Sequence, residues 1–113
     1  MNPKTATYTG ATATPITINA KGDAVPKSAS ISIKDNGGAD FNASYTPCTL
    51  TFIGPNGCPF TNCSNNSLSL KQGHNVESFS SNANAGVTYT YTVSPPPDEH
   101  GIATQQYDIT VSS

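Results

Sequence analysis

Arginine and tryptophan are absent from this 113-residue chain, and charged side chains make up only 11% of it, where about a quarter is usual. The five cations are all lysines, Lys4, Lys21, Lys27, Lys34 and Lys71, and they are spread thinly against seven acids, for a net charge of −2. A nucleic-acid binder normally gathers its cations into a basic patch, so that partner class is not expected. Leucine is scarce too: Leu50, Leu68 and Leu70 are the only three. A coiled coil built on leucine heptads is therefore excluded. No apolar run approaches the roughly 18–20 residues that a membrane helix needs, and no membrane partner is expected. The chain opens Met1-Asn2-Pro3-Lys4-Thr5 without an apolar stretch that would read as a signal peptide.

Serine, threonine and asparagine fill the gap, at about a third of the residues. Threonine favours strands, whereas asparagine and serine favour turns. Low net charge with recurrent Val, Ile, Thr, Tyr and Phe is not a disordered composition. A surface made soluble by hydroxyls and amides suits a secreted or surface-exposed protein. The length fits one domain over 1–113, with residues 1–14 read as a loose arm or an edge strand.

Period-2 alternation recurs along the chain and marks half-buried strands. Ala29, Ile31 and Ile33 alternate with serines over 28–34. Asp35-Asn36-Gly37-Gly38 follows, and Asn-Gly is a strong hairpin signal. It predicts a hairpin with a return strand over 39–46 carrying Phe41, Ala43 and Tyr45. Further strands are expected over 15–19, 48–53, 67–71 and, more weakly through Val76, 75–80. Val87 to Val93 and Gln106 to Ser112 alternate without a fault and predict a closing hairpin across Pro95-Pro96-Pro97. Seven or eight short strands with frequent turns predict an all-β, antiparallel β-sandwich, immunoglobulin-like or cupredoxin-like. The expected core is Ile16, Ile18, Ile31, Ile33, Phe41, Tyr45, Leu50, Phe52, Leu68, Leu70, Val87, Tyr89, Tyr91, Val93, Tyr107, Ile109 and Val111. The threonines Thr88, Thr90, Thr92 and Thr110 then form a face that either meets solvent or packs on another sheet.

Gly86-Val87-Thr88-Tyr89-Thr90-Tyr91-Thr92-Val93-Ser94-Pro95 resembles the closing hairpin of cupredoxins, and His74-Asn75 resembles the pair that supplies one of their copper histidines. The resemblance implies a sandwich. It departs at Val93, where the family has its copper cysteine, and at Pro96, where it has a histidine, and type 1 copper requires that thiolate. The same Tyr-x-Tyr-x-Val strand is similar to strands of immunoglobulin-like bacterial sandwiches, in which a tyrosine hydroxyl ties to backbone across a corner.

Three cysteines, Cys48, Cys58 and Cys63, allow three single pairings. Cys58–Cys63 would close one loop, and Cys48–Cys63 would tie a strand to that loop. Cys48 shares a face with Leu50 and Phe52 and also reads as a small core residue. A metal alternative uses His74, His100, Cys58 and Cys63. Asp98, Glu99 and His100 stand together in the proline-bearing loop, which makes that loop the expected contact site. No G-x-S-x-G, phosphate loop or calcium loop is present, so catalysis is not expected, nor is a cofactor. The leading expectation is a non-enzymatic binding module that meets a protein partner or a second copy of itself. The alternative is a cupredoxin-like metal carrier.

Overall fold

The computed structural model describes residues 13–33, 37–94 and 105–112, and among them the chain is all-β with no helix. Nine strands follow in order: β1 (Thr14–Ile18), β2 (Ala24–Val25), β3 (Ser28–Ser32), β4 (Gly38–Ala43), β5 (Cys48–Ile53), β6 (Ser67–Leu70), β7 (Gly73–Ser78), β8 (Thr88–Val93) and β9 (Tyr107–Ser112). A four-stranded sheet has the order β2-β1-β4-β7, and a five-stranded sheet has the order β3-β9-β8-β5-β6. The arrangement is sandwich-like: alternate residues of both sheets turn inward and share one apolar core. Phe41 from the first sheet meets Tyr91 from the second edge-on, with ring centroids 6.3 Å apart.

The sheets are mixed, which corrects the expectation of a wholly antiparallel fold. β1 runs parallel to β4, with Ile16 opposite Phe41, and β3 runs parallel to β9, with Ile31 opposite Val111. The predicted hairpin of 28–34 with 39–46 is also overturned. Lys34, Asp35 and Asn36 lie outside the described residues, but β3 and β4 on either side belong to different sheets. Alternation fixes which residues face the core, not which strand lies alongside. Ala29, Ile31 and Phe41 do face inward, from opposite walls. Gly37 marks a tight passage all the same, because a Cβ there would collide with the carbonyl oxygen of Ser32.

The closing hairpin is present, with β8 and β9 antiparallel and Tyr91 opposite Tyr107. Fifteen of the seventeen expected core residues are buried; Ile33 and Val87 are partly buried against the core. The β5–β6 loop adds Phe60, 2% exposed, which touches Phe41, Phe52 and Phe79 at centroid distances of 5.6, 5.9 and 5.3 Å. The 75–80 segment differs in register. β7 begins at Gly73, and pairing of Ala39 with Glu77 and Phe41 with Asn75 turns Glu77 and Asn75 inward and Val76 outward.

Strand directions place the connections at two ends. One end, here the Ser94 end, carries the β1–β2 turn, the β4–β5 link, the β6–β7 turn and both feet of the β8–β9 connection. The opposite end carries the β5–β6 and β7–β8 loops. Of the two outward faces, that of the five-stranded sheet is the more uniform. Its fourteen strand positions hold Ser28, Ser30 and Ser32 on β3, and Asp108, Thr110 and Ser112 on β9. Thr88, Thr90 and Thr92 follow on β8, Thr49, Thr51 and Ile53 on β5, and Ser67 and Ser69 on β6. Twelve of these carry hydroxyls, and none is buried.

Candidate functional site

At the Ser94 end, hydroxyl groups and backbone clamp the foot of the β8–β9 connection. The Tyr45 hydroxyl donates to the Ser94 carbonyl. The Ser94 hydroxyl accepts from the Thr49 N–H at 2.8 Å, and the Ser94 N–H donates to the Thr49 carbonyl at 2.9 Å. Tyr45 comes from the β4–β5 link and Thr49 from β5, so two chain segments converge on one serine. The β6–β7 turn joins them through the Gln72 N–H, which donates to Thr46 Oγ1 at 2.6 Å. The other foot is held by Tyr107, whose hydroxyl donates to Asp23 Oδ1 at 3.3 Å. Asp23 is set by the β1–β2 turn, in which Asn19 Oδ1 accepts from the N–H groups of Lys21 and Asp23 at 2.9 and 3.0 Å.

Cys48 lies beneath this clamp, fully buried and free. Burial pushes its thiol pKa up, and a hydrogen bond with Tyr45 pulls in the other direction. Burial also raises the phenols, with the Cys48 side chain adding to the effect at Tyr45 and Asp23 adding to it at Tyr107. A protonated thiol is a poor nucleophile and a poor metal ligand, so Cys48 behaves as a core residue, as its place beside Leu50 suggests.

Asp98, Glu99 and His100, the expected contact residues, lie outside the described residues. In sequence they fall between Ser94, which the clamp holds, and Tyr107, which bonds Asp23. Cys58 and Cys63 form a disulfide across the β5–β6 loop, one of the three pairings that three cysteines allow. His74 stands on strand β7. Its Nδ1 lies 3.0 Å and 3.2 Å from the two carboxylate oxygens of Asp40, and its side chain is 69% exposed.

The metal alternative is thus not assembled from its described members. The disulfide consumes both thiolates. Its loop meets the far end of β7, where the Thr61 N–H donates to the Ser78 carbonyl. His74 stands near the other end of β7, on the outward face. Among the described residues no group of three His, Cys, Asp or Glu side chains is placed to hold a metal ion. The Asp40–His74 pair was not legible in sequence, because it depends on the pairing of β4 with β7 across 34 positions. Among the described residues, Asp40 is the side chain that bonds the His74 ring.

A second feature escapes the sequence pattern. Glu77 is 7% exposed, and its Oε1 accepts from Asn62 Nδ2 at 2.9 Å. Burial raises the carboxyl pKa, against the opposing pull of the Asn62 bond. A raised acid in the folded state contributes stability that is complete below the unfolded carboxyl pKa and is lost as pH rises through the folded one. Glu77→Gln keeps an acceptor for Asn62 and removes the charge. Its thermal midpoint should exceed that of the parent at pH 7 and match it at pH 3, as followed by circular dichroism. The disulfide should matter at the same end. Closing a loop this short stabilises by about 2 kcal/mol, so a Cys58→Ser/Cys63→Ser double variant should lower the urea midpoint accordingly.

The chain matches no family model, no curated protein and no solved structure.

Proposed function

We propose that this chain is a non-enzymatic binding module on a β-sandwich scaffold, and that its contact site is the β8–β9 loop with Asp98, Glu99 and His100. The observation that carries this reading is the clamp on Ser94. The Tyr45 hydroxyl, the Thr49 backbone and the Tyr107–Asp23 pair tie the feet of one loop to rigid strands. A loop with fixed feet presents its side chains at a lower ordering cost on binding. The partner is a protein surface or a second copy of the chain. An oxidising compartment suits the disulfide and the low-charge, hydroxyl-rich exterior. Of the two sandwich types, the cupredoxin-like one is the better reading. Immunoglobulin sheets are wholly antiparallel, whereas β1–β4 and β3–β9 are parallel, and the closing hairpin resembles that of cupredoxins.

The direct test is an Asp98→Ala/Glu99→Ala/His100→Ala variant beside the parent chain. Both are immobilised and exposed to extract of the source cells, and retained proteins are identified by mass spectrometry. The reading requires a protein retained by the parent and lost by the variant, or a parent oligomer in native mass spectra that the variant does not form. Equal retention by both, with no oligomer, would remove the loop as the site.

A second reading, metal carriage, is favoured by the carboxylate of Asp40 on His74 Nδ1. Metal-ligating histidines typically donate their other ring N–H to such an acceptor. Native and denaturing intact-mass spectra recorded without reductant separate the two readings. Added zinc or copper that stays bound to the parent and is lost from His74→Ala favours the metal reading.

A further inference from the structure

Gly54-Pro55-Asn56-Gly57 turns the chain between β5 and the disulfide, at the end opposite Ser94. The structure calls for both members of its Asn-Gly pair. Gly57 has a φ of +68°, and a Cβ there would stand 3.0 Å from Asn66 Oδ1, so conformation and space both require glycine. Asn56 is exposed, and its Nδ2 donates to the Thr88 carbonyl at 3.2 Å, which ties the turn to the start of β8. We infer that Asn56 is a self-modifying site. Its side-chain amide is lost to water by way of the Gly57 backbone nitrogen, and the loss unties the turn behind Phe60.

The reaction needs no residue beyond this pair, and its co-reactant is water. The Gly57 backbone nitrogen gives up its proton and attacks Asn56 Cγ. An N–Cγ bond forms, the Cγ–Nδ2 bond breaks, and Nδ2 leaves as ammonia with the proton. The succinimide so formed takes up water. Opening at Cγ yields aspartate, and opening at the main-chain carbonyl yields isoaspartate, whose chain runs through Cβ and Cγ. Three observations favour this position. A side chain on the following residue obstructs the attack, and every other described asparagine is followed by a residue with a Cβ. The Gly57 N–H has no hydrogen-bond partner among the described residues, so no bond is broken when its nitrogen reacts. The Asn56 amide is held by one carbonyl at an exposed turn, whereas the Asn75 amide donates to the carbonyls of Phe41, Lys71 and Gly73.

The product no longer fits the turn. A carboxylate only accepts, so an oxygen in place of Nδ2 faces the Thr88 carbonyl with no proton between them. Cys58 of the disulfide comes next after Gly57. Phe60, whose ring meets both sheets, lies two residues further on. Untying the turn therefore loosens the segment that seats Phe60, and the modified chain is less stable than the fresh one.

The test is incubation of the purified full-length chain, disulfide intact, at pH 7 and at pH 9. Conversion is located by peptide mapping with electron-transfer mass spectrometry. Asn56 should gain the mass that separates O from NH before any other described asparagine, as a mixture of aspartate and isoaspartate. The gain should be faster at pH 9, because the attacking nitrogen must first lose its proton. Asn56→Gln, which would have to close a larger ring, should stay unmodified at this position. Asn56→Asp and the aged parent should both unfold at lower urea than the fresh parent. Conversion of Asn36, the other asparagine before a glycine, with Asn56 intact would overturn the proposal. So would conversion of Asn56 in urea but not in the folded chain, because the turn would then protect it. An unchanged urea midpoint in both Asn56→Asp and the aged parent would overturn the untying of the turn.

Discussion

Replacing Phe60 by alanine is expected to lower unfolding stability by about 3–5 kcal/mol, the range for truncating a buried aromatic. The residue sits in a loop of cysteines, asparagines and glycine, where a surface substitution would ordinarily change stability by less than about 0.5 kcal/mol. The structure places it elsewhere. Its ring meets Phe41 of the four-stranded sheet and Phe52 of the five-stranded sheet, both edge-on, and stacks on Phe79. It therefore plugs the space between the sheets at the end remote from Ser94. Bridge pairing of Phe60 with Phe79 holds the loop backbone against the end of β7, and the disulfide narrows the loop behind it. Domains of this size are stable by about 5–15 kcal/mol, so the loss would remove a large share of the total. Urea unfolding followed by circular dichroism reads it directly. A change under 1 kcal/mol would mean that the loop does not seal the core.

Tyr91→Phe should act in the opposite direction. Tyr91 is fully buried between the sheets, within 5.2 Å of Phe52, 5.6 Å of Tyr107 and 6.3 Å of Phe41 by ring centroids. Among the described residues its hydroxyl has no hydrogen-bond partner. Burying an unsatisfied polar group costs about 1–3 kcal/mol, and phenylalanine keeps the ring contacts while deleting that group. The variant should therefore gain up to about that amount, with a higher urea midpoint and an unchanged denaturant slope. Tyr89→Phe provides the contrast, because the Tyr89 hydroxyl donates to the Asn82 carbonyl at 2.9 Å and accepts from the Asn84 N–H at 3.0 Å. That substitution should destabilise. A loss of stability in Tyr91→Phe would show that the hydroxyl is satisfied.

The two tyrosines illustrate what was legible in advance and what was not. Their alternation with threonine along β8 is enough to send both inward. Nothing in Thr88-Tyr89-Thr90-Tyr91 distinguishes the hydroxyl that reaches the 82–84 turn from the one that meets no partner among the described residues. That difference depends on how far each ring lies from the end of the sheet. His74 shows the same limit. Its chemistry is visible in the sequence, but the Asp40 carboxylate arrives only through the β4–β7 ladder.

The all-β class, the closing hairpin and nearly all of the core were determined by the sequence alone. Period-2 alternation is a local property: it needs only neighbouring residues and one apolar side to define inside and outside. Strand partners, the two parallel pairings and the separation of β3 from β4 into different sheets were decided by the tertiary structure. Any strand with one apolar face can complete any sheet edge, and only collective packing of all nine selects the order. The same holds for Phe60, Glu77 and the Ser94 clamp. Each owes its environment to segments far away in the chain, and no local pattern encodes which of those segments come together.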